Sequence, residues 1–297
     1  MPRIFVVHVW MWISETFHCI NSETYLKVMY RLYTKKKLHL DNPKTFTEKL
    51  QMLKLYVNIT PKCTLMADKY GVREYIKNRI GEEYLITSLG VWDKFDDIDF
   101  DKLPEKFVLK TTHDSGGVVL CLDKKNFNKI SAKRKLENHL QYNYYWRGRE
   151  MPYRDIKPRI VAEEYMVDES GKELKDYKFF CFDGKPEILF LASDRFNNEG
   201  KLPKFTYYDM ELNLLSVKSY GHERNFTPPI IPNWEEMKRL AAELSAGWPH
   251  LRVDFYNVNG KIYFGELTFH HDGGVVPFEP EEWDMKLGNM ISLPDVK

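Results

Sequence analysis

Four groups of residues in this chain of 297 have side-chain types and spacings suited to chemistry. The first is FVLKTTHDSGG, residues 107–117, in which a strand-like run presents Lys110 and passes into Ser115, Gly116 and Gly117. Glycines let backbone N–H groups approach phosphate oxygens, and a lysine adds a point charge. A plain strand lysine before a tight hairpin has the same letters. The second is IVAEEYM, 160–166, with Glu163 and Glu164 at the end of an apolar run. Strand alternation turns one of them inward, where it could hold the base and ribose of a nucleotide; otherwise it is a solvated acid at a strand end. The third is LRVDFYNVNGKIYFGELTF, 251–269, which sets Asp254 and Glu266 among apolar neighbours on two arms of one hairpin. A turn at Asn259-Gly260 pairs residues whose numbers sum to about 519, so the two carboxylates meet, ready either to share Mg²⁺ with phosphate oxygens or to pair with a base such as Arg252. The fourth is KDYKFFCFDGKP with the later SDR: Asp176, Lys178 and Arg195 bracket another hairpin. Cations there can neutralise a phosphoryl group in transfer, though each is also an ordinary polar strand residue.

Positioning these groups requires an ordered scaffold, and the composition provides for one. Hydrophobic residues make up 43% and aromatic residues 14%, enough for a sizeable core. Lys plus Arg number 44 against 43 acids, a net charge of +1, so no bulk field exists to hold nucleic acid, which is excluded as a partner. Lys35-Lys36-Lys37 reads as a solvated face. The four cysteines, Cys19, Cys63, Cys121 and Cys181, form no Cys-x-x-Cys pair and suit the free thiols of a reducing cytoplasm. The apolar start, Ile4 to Ile13, is too short to span a bilayer, which takes ~20 residues, and no small-residue cleavage site follows it. It is expected to pack as a helix, with peripheral membrane contact the most that it allows.

Three helices are expected early: Ser22 to Lys37, with Ser22 a candidate cap; one from the capping-box pair Thr45 and Glu48 through Leu55; and one over Cys63 to Lys77. Strands follow Gly81, including 159–166, 177–184, 186–193, 251–258 and 261–269, with helices at 132–141 and 235–246. Asp183-Gly184 and Asn259-Gly260 supply hairpin turns. The expected fold class is therefore α+β with largely antiparallel sheets and an N-terminal helical region. The helical region is expected over 1–80 and an α/β region over 81–297.

The order of these groups, a lysine before a glycine loop, a Glu-Glu strand, an Asp-x-Lys hairpin, an Asp and then a Glu, resembles the ATP-grasp superfamily. The strings NPKTFTEKLQ, ADKYGVREY, LGVW, FVLKTTHDSGG, KPRIVAEEY, DYKFFCFDGKP and VDFY with FGELTF are similar to those of the TupA-like ATP-grasp family, from about Asn42 to Leu293. The resemblance implies an ATP- and Mg²⁺-dependent ligase that forms an acyl-phosphate, in capsule, teichuronopeptide or other bacterial surface-polysaccharide biosynthesis. It also implies that 81–297 is the ATP-grasp domain, with a lid at about 105–160 and an ATP and Mg²⁺ core at about 160–297. The acceptor would be a small molecule or saccharide bearing a carboxylate or amine. It implies Lys110, Ser115, Gly116 and Gly117 around the ATP phosphates, Glu163 and Glu164 at adenine and ribose, and Asp176 towards ribose. Lys178 and Arg195 would face the transferred phosphoryl group, and Asp254, Glu266 and Thr268 would hold the metal. Where the superfamily has Glu-x-Asn this chain has Glu266-Leu267-Thr268, and a hydroxyl is a weaker Mg²⁺ ligand than an amide carbonyl. His270 and His271 either touch the acceptor or are structural, and the cluster YNYYWRGREMPYR, 142–154, either lines a sugar-acid site through Arg147 or Arg149 or packs under the lid. Two other function classes compete: glycosyl transfer from a nucleotide-sugar, for which DDIDFD has one Asp-x-Asp at Asp97 and another at Asp99 but reads as a solvated turn, and a non-catalytic ATP-binding module.

Overall fold

The computed structural model describes residues 20–168, 171, 174–193, 203–219, 224–225, 227 and 229–295. Ile4 to Ile13 and Arg195 lie outside them. Helix α1, Ser22–Thr34, starts from Asn21, whose Oδ1 accepts from the Thr24 amide at 2.8 Å. The cap is thus one residue before the expected Ser22. Lys35 ends the helix in the left-handed region, before the expected Lys37. Helix α2, Phe46–Tyr56, has the expected capping box: Thr45 Oγ1 accepts from the Glu48 amide, and Glu48 accepts from that of Thr45.

The single helix expected over Cys63 to Lys77 is instead two, α3 (Pro61–Ala67) and α4 (Val72–Arg79). Between them Asp68 accepts from the Tyr70 amide at 3.0 Å and pairs with Arg159 at 3.1 Å, while the Lys69 amide donates to Thr112 O at 3.0 Å. Those bonds tie the break to the turn after the Lys110 strand, and intrahelical bonds cannot be kept at the same time.

The strands are β1 (Ser88–Trp92), β2 (Phe107–Thr111), β3 (Val118–Cys121), β4 (Ile160–Glu164), β5 (Asp176–Phe182), β6 (Lys185–Ser193), β7 (Lys204–Tyr208), β8 (Lys218–Ser219), β9 (His250–Val258), β10 (Lys261–Thr268) and β11 (Phe278–Glu279). The remaining helices are α5 (Lys129–Leu140), α6 (Tyr145–Gly148), α7 (Trp234–Ser245) and α8 (Glu282–Asn289). One sheet runs β1-β4-β2-β3, a second β10-β9-β5-β6-β7 and a third β11-β8, with every pairing antiparallel. This is the expected α+β arrangement.

Alternation along β5 explains how the larger sheet is buried on both faces. Tyr177, Phe179 and Cys181 pack with α3, α4 and α7, whereas Phe180 and Phe182 pack with Phe46, Leu50 and Leu53 of α2 and with Trp283 and Leu287 of α8. The smaller sheet has its own core, with Phe107, Leu109, Ile160 and Ala162 against Ala132 and Leu136 of α5. Asp183 and Gly184, like Asn259 and Gly260, have φ of 48°, 80°, 53° and 84°, the paired positive values of type I′ turns. Among the described residues no helix is long and apolar enough to cross a membrane.

Candidate active site

The second sheet places a chain of charges on adjacent strands. Lys178 of β5 lies opposite Asp254 of β9, and its Nζ is 2.6 Å from Asp254 Oδ2 and 3.4 Å from Asp176 Oδ2. Two residues back on the same face of β9, Arg252 donates to both Asp254 oxygens at 2.8 Å. Burial favours a neutral Asp254, but Arg252 and Lys178 outweigh it and hold the carboxyl below the usual range. Burial likewise pulls the Lys178 ammonium down, against Asp254. Arg252 Nη1 also donates to His271 Nδ1 at 3.0 Å. A guanidinium cannot accept, so this ring is neutral at Nδ1, in keeping with burial that lowers His271 to about 4.

The strand register brings Glu266 to Asp254. From Lys261↔Val258 to Phe264↔Phe255 the numbers sum as expected, then a bulge at Gly265 shifts the ladder so that Glu266 faces Asp254 directly. A Cβ on Gly265 would stand 3.0 Å from Asp254 O. Glu266 is only loosely engaged: its side chain is 34% exposed and its Oε2 lies 3.9 Å from Arg252. Thr268 is buried, and among the described residues its Oγ1 has no hydrogen-bond partner.

The first sheet carries the other predicted group. Lys110 Nζ lies 2.6 Å from Glu163 Oε2, and Arg73 of α4 approaches Glu163 Oε1 at 3.8 Å. Glu163 points inward and Glu164 outward to solvent, the alternation expected of that strand. Beyond Lys110 the turn through Gly116 (φ 101°) and Gly117 is held by Thr111 and His139, both on Asp114, and by Lys69 on Asp114 O. At Gly117 a Cβ would overlap Thr111 Oγ1, so only glycine closes this turn.

The two sheets meet at a cleft of about 420 Å³. Ser115 reaches it from the β2–β3 turn, and Arg252, Glu266 and Thr268 reach it from the second sheet. Of the other predicted residues, Lys110, Gly116, Gly117, Glu163, Glu164, Asp176, Lys178 and Asp254 do not form its wall. Tyr144, Arg147, Glu150 and Tyr153 do, so much of the 142–154 cluster faces the cleft. Arg149 does not; its guanidinium packs 4.3 to 5.4 Å from the ring centres of Tyr25, Tyr145 and Trp146. His270 lines the cleft but is buried, with Nδ1 on Glu150 Oε2 at 3.0 Å and Nε2 on Asn58 Nδ2 at 3.1 Å. His271 packs against Phe180, Phe190 and Phe278, away from the opening.

Lys54 of α2 also reaches the cleft and was not anticipated, because in sequence it is one more lysine on an amphipathic helix. Asp97, in one short 3₁₀ turn, and Asp99, capping the next, are exposed and form no part of this wall. Among the described residues no three acids, histidines or cysteines converge as a ready-made metal cage.

The cleft thus takes Ser115 from the β2–β3 turn of one antiparallel sheet and Arg252, Glu266 and Thr268 from the other. The family profile described as TupA-like ATPgrasp matches residues 48–292, and the chain belongs to that family. This membership supports an ATP-grasp ligase enzyme. Similar solved structures include D-alanine–D-alanine ligase from Bacillus anthracis, 18% identical over 69% of this chain and 57% of that one, TM-score 0.38. The Helicobacter pylori D-alanine–D-alanine ligase is 14% identical, covering 84% and 70%, TM-score 0.43. The D-cycloserine synthetase DcsG is 13% identical, covering 77% and 72%, TM-score 0.39. The chain spans little more than half the length of the first of these, and likenesses this faint decide nothing about reaction or substrate. No protein of curated function matches the chain.

Proposed function

We propose that the protein joins a carboxylate to an amine or similar nucleophile at the expense of ATP, within bacterial surface-polysaccharide biosynthesis of the capsule or teichuronopeptide kind, in the cytoplasm where ATP is supplied. The observation that carries the reading is the meeting in one cleft of Ser115, from the glycine turn of one sheet, with Glu266 and the unpartnered Thr268 hydroxyl of the other.

Glu163 and Glu164 would lie along adenine and ribose, and Asp176 towards ribose. Lys110 and the Ser115-Gly116-Gly117 turn would close over the phosphates, with Lys178 and Arg195 on the transferred group. A buried oxygen lacking a partner and a loosely held carboxylate fit a divalent cation, so Glu266 and Thr268 suit Mg²⁺. Asp254 fits less well, since Arg252 and Lys178 occupy both its oxygens, and it would share a lone pair at most. Mg²⁺ bound there would neutralise phosphate oxygens as charge moves to the departing ADP.

A substrate carboxylate oxygen attacks the γ-phosphorus, the bond to the β–γ bridging oxygen breaks, and ADP leaves. Arg252, which reaches the cleft and is fixed by Asp254, would present positive charge without needing to reorganise. The amine nitrogen then attacks the acyl carbon, loses a proton, and phosphate departs.

The test is thermal melting. Mg-ATP should raise the melting temperature, by the equivalent of ~2.7 kcal/mol at a hundredfold excess over Kd, and Glu266→Gln should abolish that rise. ADP release should then require both an acid and an amine. A rise with a UDP-sugar and none with Mg-ATP would defeat the proposal in favour of glycosyl transfer.

A further inference from the structure

Lys54 is an anomaly that the nucleotide chemistry does not use. It is 1% exposed, yet it forms part of the cleft wall. Its Nζ donates to Gly273 O at 2.8 Å, and among the described residues no carboxylate stands within ion-pair distance of it. An ammonium has three donors, so two remain. Glu150, whose charge acts on Lys54, is bonded to His270 Nδ1, whose other nitrogen is held by Asn58. Neutral His270 donates to Glu150 and accepts from Asn58, a complete set of bonds that leaves Glu150 facing the imidazole rather than the lysine.

Burying a cation without a direct ion-pair partner is costly, and burial pulls the Lys54 ammonium down to about 8 against the more distant charge of Glu150. Nor is Lys54 needed to hold the 273–274 turn, because Gln51 Nε2 donates to Gly273 O at 3.1 Å and to Gly274 O at 2.7 Å. The rest of the wall suits a small polar molecule: the rings of Tyr144 and Tyr153, with exposed Arg147 beside them. Glu266 and Thr268, where phosphoryl transfer is proposed, border the same space.

We propose that Lys54 binds a carboxylate of the acceptor, so that the nucleophile is the amine of a molecule that is itself an acid, an α-amino acid or an amino-sugar acid. This rests on the ligase reading above. The substrate anion supplies the direct ion-pair partner that Lys54 lacks among the described residues, and the carboxylate on Lys54 directs the amine towards the Glu266 side.

Calorimetry on the full chain with saturating Mg-ADP tests it. The probes are a set of α-amino acids and their amides, and a 2-amino-2-deoxyhexuronic acid beside the matching hexosamine. At least one acid should bind, its neutral counterpart at least about tenfold more weakly. Which acid binds separates the two sources. Lys54→Met, close in volume, should lose that preference while keeping the Mg-ATP melting rise, and Lys54→Arg should restore part of it. If Mg-ATP gives no rise in the unaltered chain, the ligase reading fails. If the rise is present but no probe binds, the neutral amines bind as well as the acids, or Lys54→Met binds the acid unchanged, this inference alone is overturned. Should Lys54→Met fail to fold, the acid-against-amide comparison in the unaltered chain decides.

Discussion

At the scale of single residues, the two carboxylates of the third motif have diverged in role. Asp254 is enclosed by Arg252 and Lys178, whereas Glu266 is a third exposed and weakly contacted. Asp254→Asn would leave two buried cations under-compensated and should cost about 3–5 kcal/mol by denaturant unfolding. Glu266→Gln should change stability by less than ~1 kcal/mol while removing the Mg-ATP effect. Thr268→Asn, which restores the amide of the wider superfamily, is expected to lower the Mg²⁺ concentration needed for nucleotide binding, read from melting curves at increasing Mg²⁺. The sequence made Asp254, Glu266 and the rival partner Arg252 legible, because charged residues in an apolar strand need an explanation. Lys54 and Glu150 were not legible: the first stands on an amphipathic helix and the second in a polar segment, both places where charge is ordinary. Only the tertiary contacts bury them.

At the scale of elements, the bulge at Gly265 aligns the two carboxylates. Gly265→Ala would crowd Asp254 O, at 3.0 Å from the new Cβ. It should weaken Mg-ATP binding about tenfold by calorimetry, with hairpin pairing otherwise intact. Both hairpin turns could be read from Asp-Gly and Asn-Gly because the letters themselves favour positive φ. The break at residues 68–71 could not, since Asp68 leaves helical geometry to meet Arg159 and Lys69 to meet Thr112, partners that only the fold brings near. The expected Glu266–Asp254 approach was right to within the one residue that the bulge adds.

At the scale of the whole molecule, the N-terminal helices share cores with the sheets. Helix α2 covers one face of the larger sheet, and α3 and α4 pack on the other. A fragment of residues 81–297 would expose both faces, so it is expected to aggregate where the full chain unfolds in one transition, checked by gel filtration and calorimetry. The buried histidines add an acid weakness. Burial lowers His250 to about 3 and His271 to about 4. The unfolded chain takes up protons near 6.5 and the folded one does not, so their contribution is full above that pH. It is lost as pH falls from about 6.5 towards 4, at up to ~1.4 kcal/mol per unit for each group. Urea midpoints at pH 7.5 and 5 would show this fall.

The matched stretch begins at residue 48, but Tyr25, Leu26, Met29 and Tyr33 of α1 form part of the cleft wall. Part of the cleft wall is therefore encoded ahead of the matched stretch, so two kin alike across that stretch can still differ in the shape of the pocket they present.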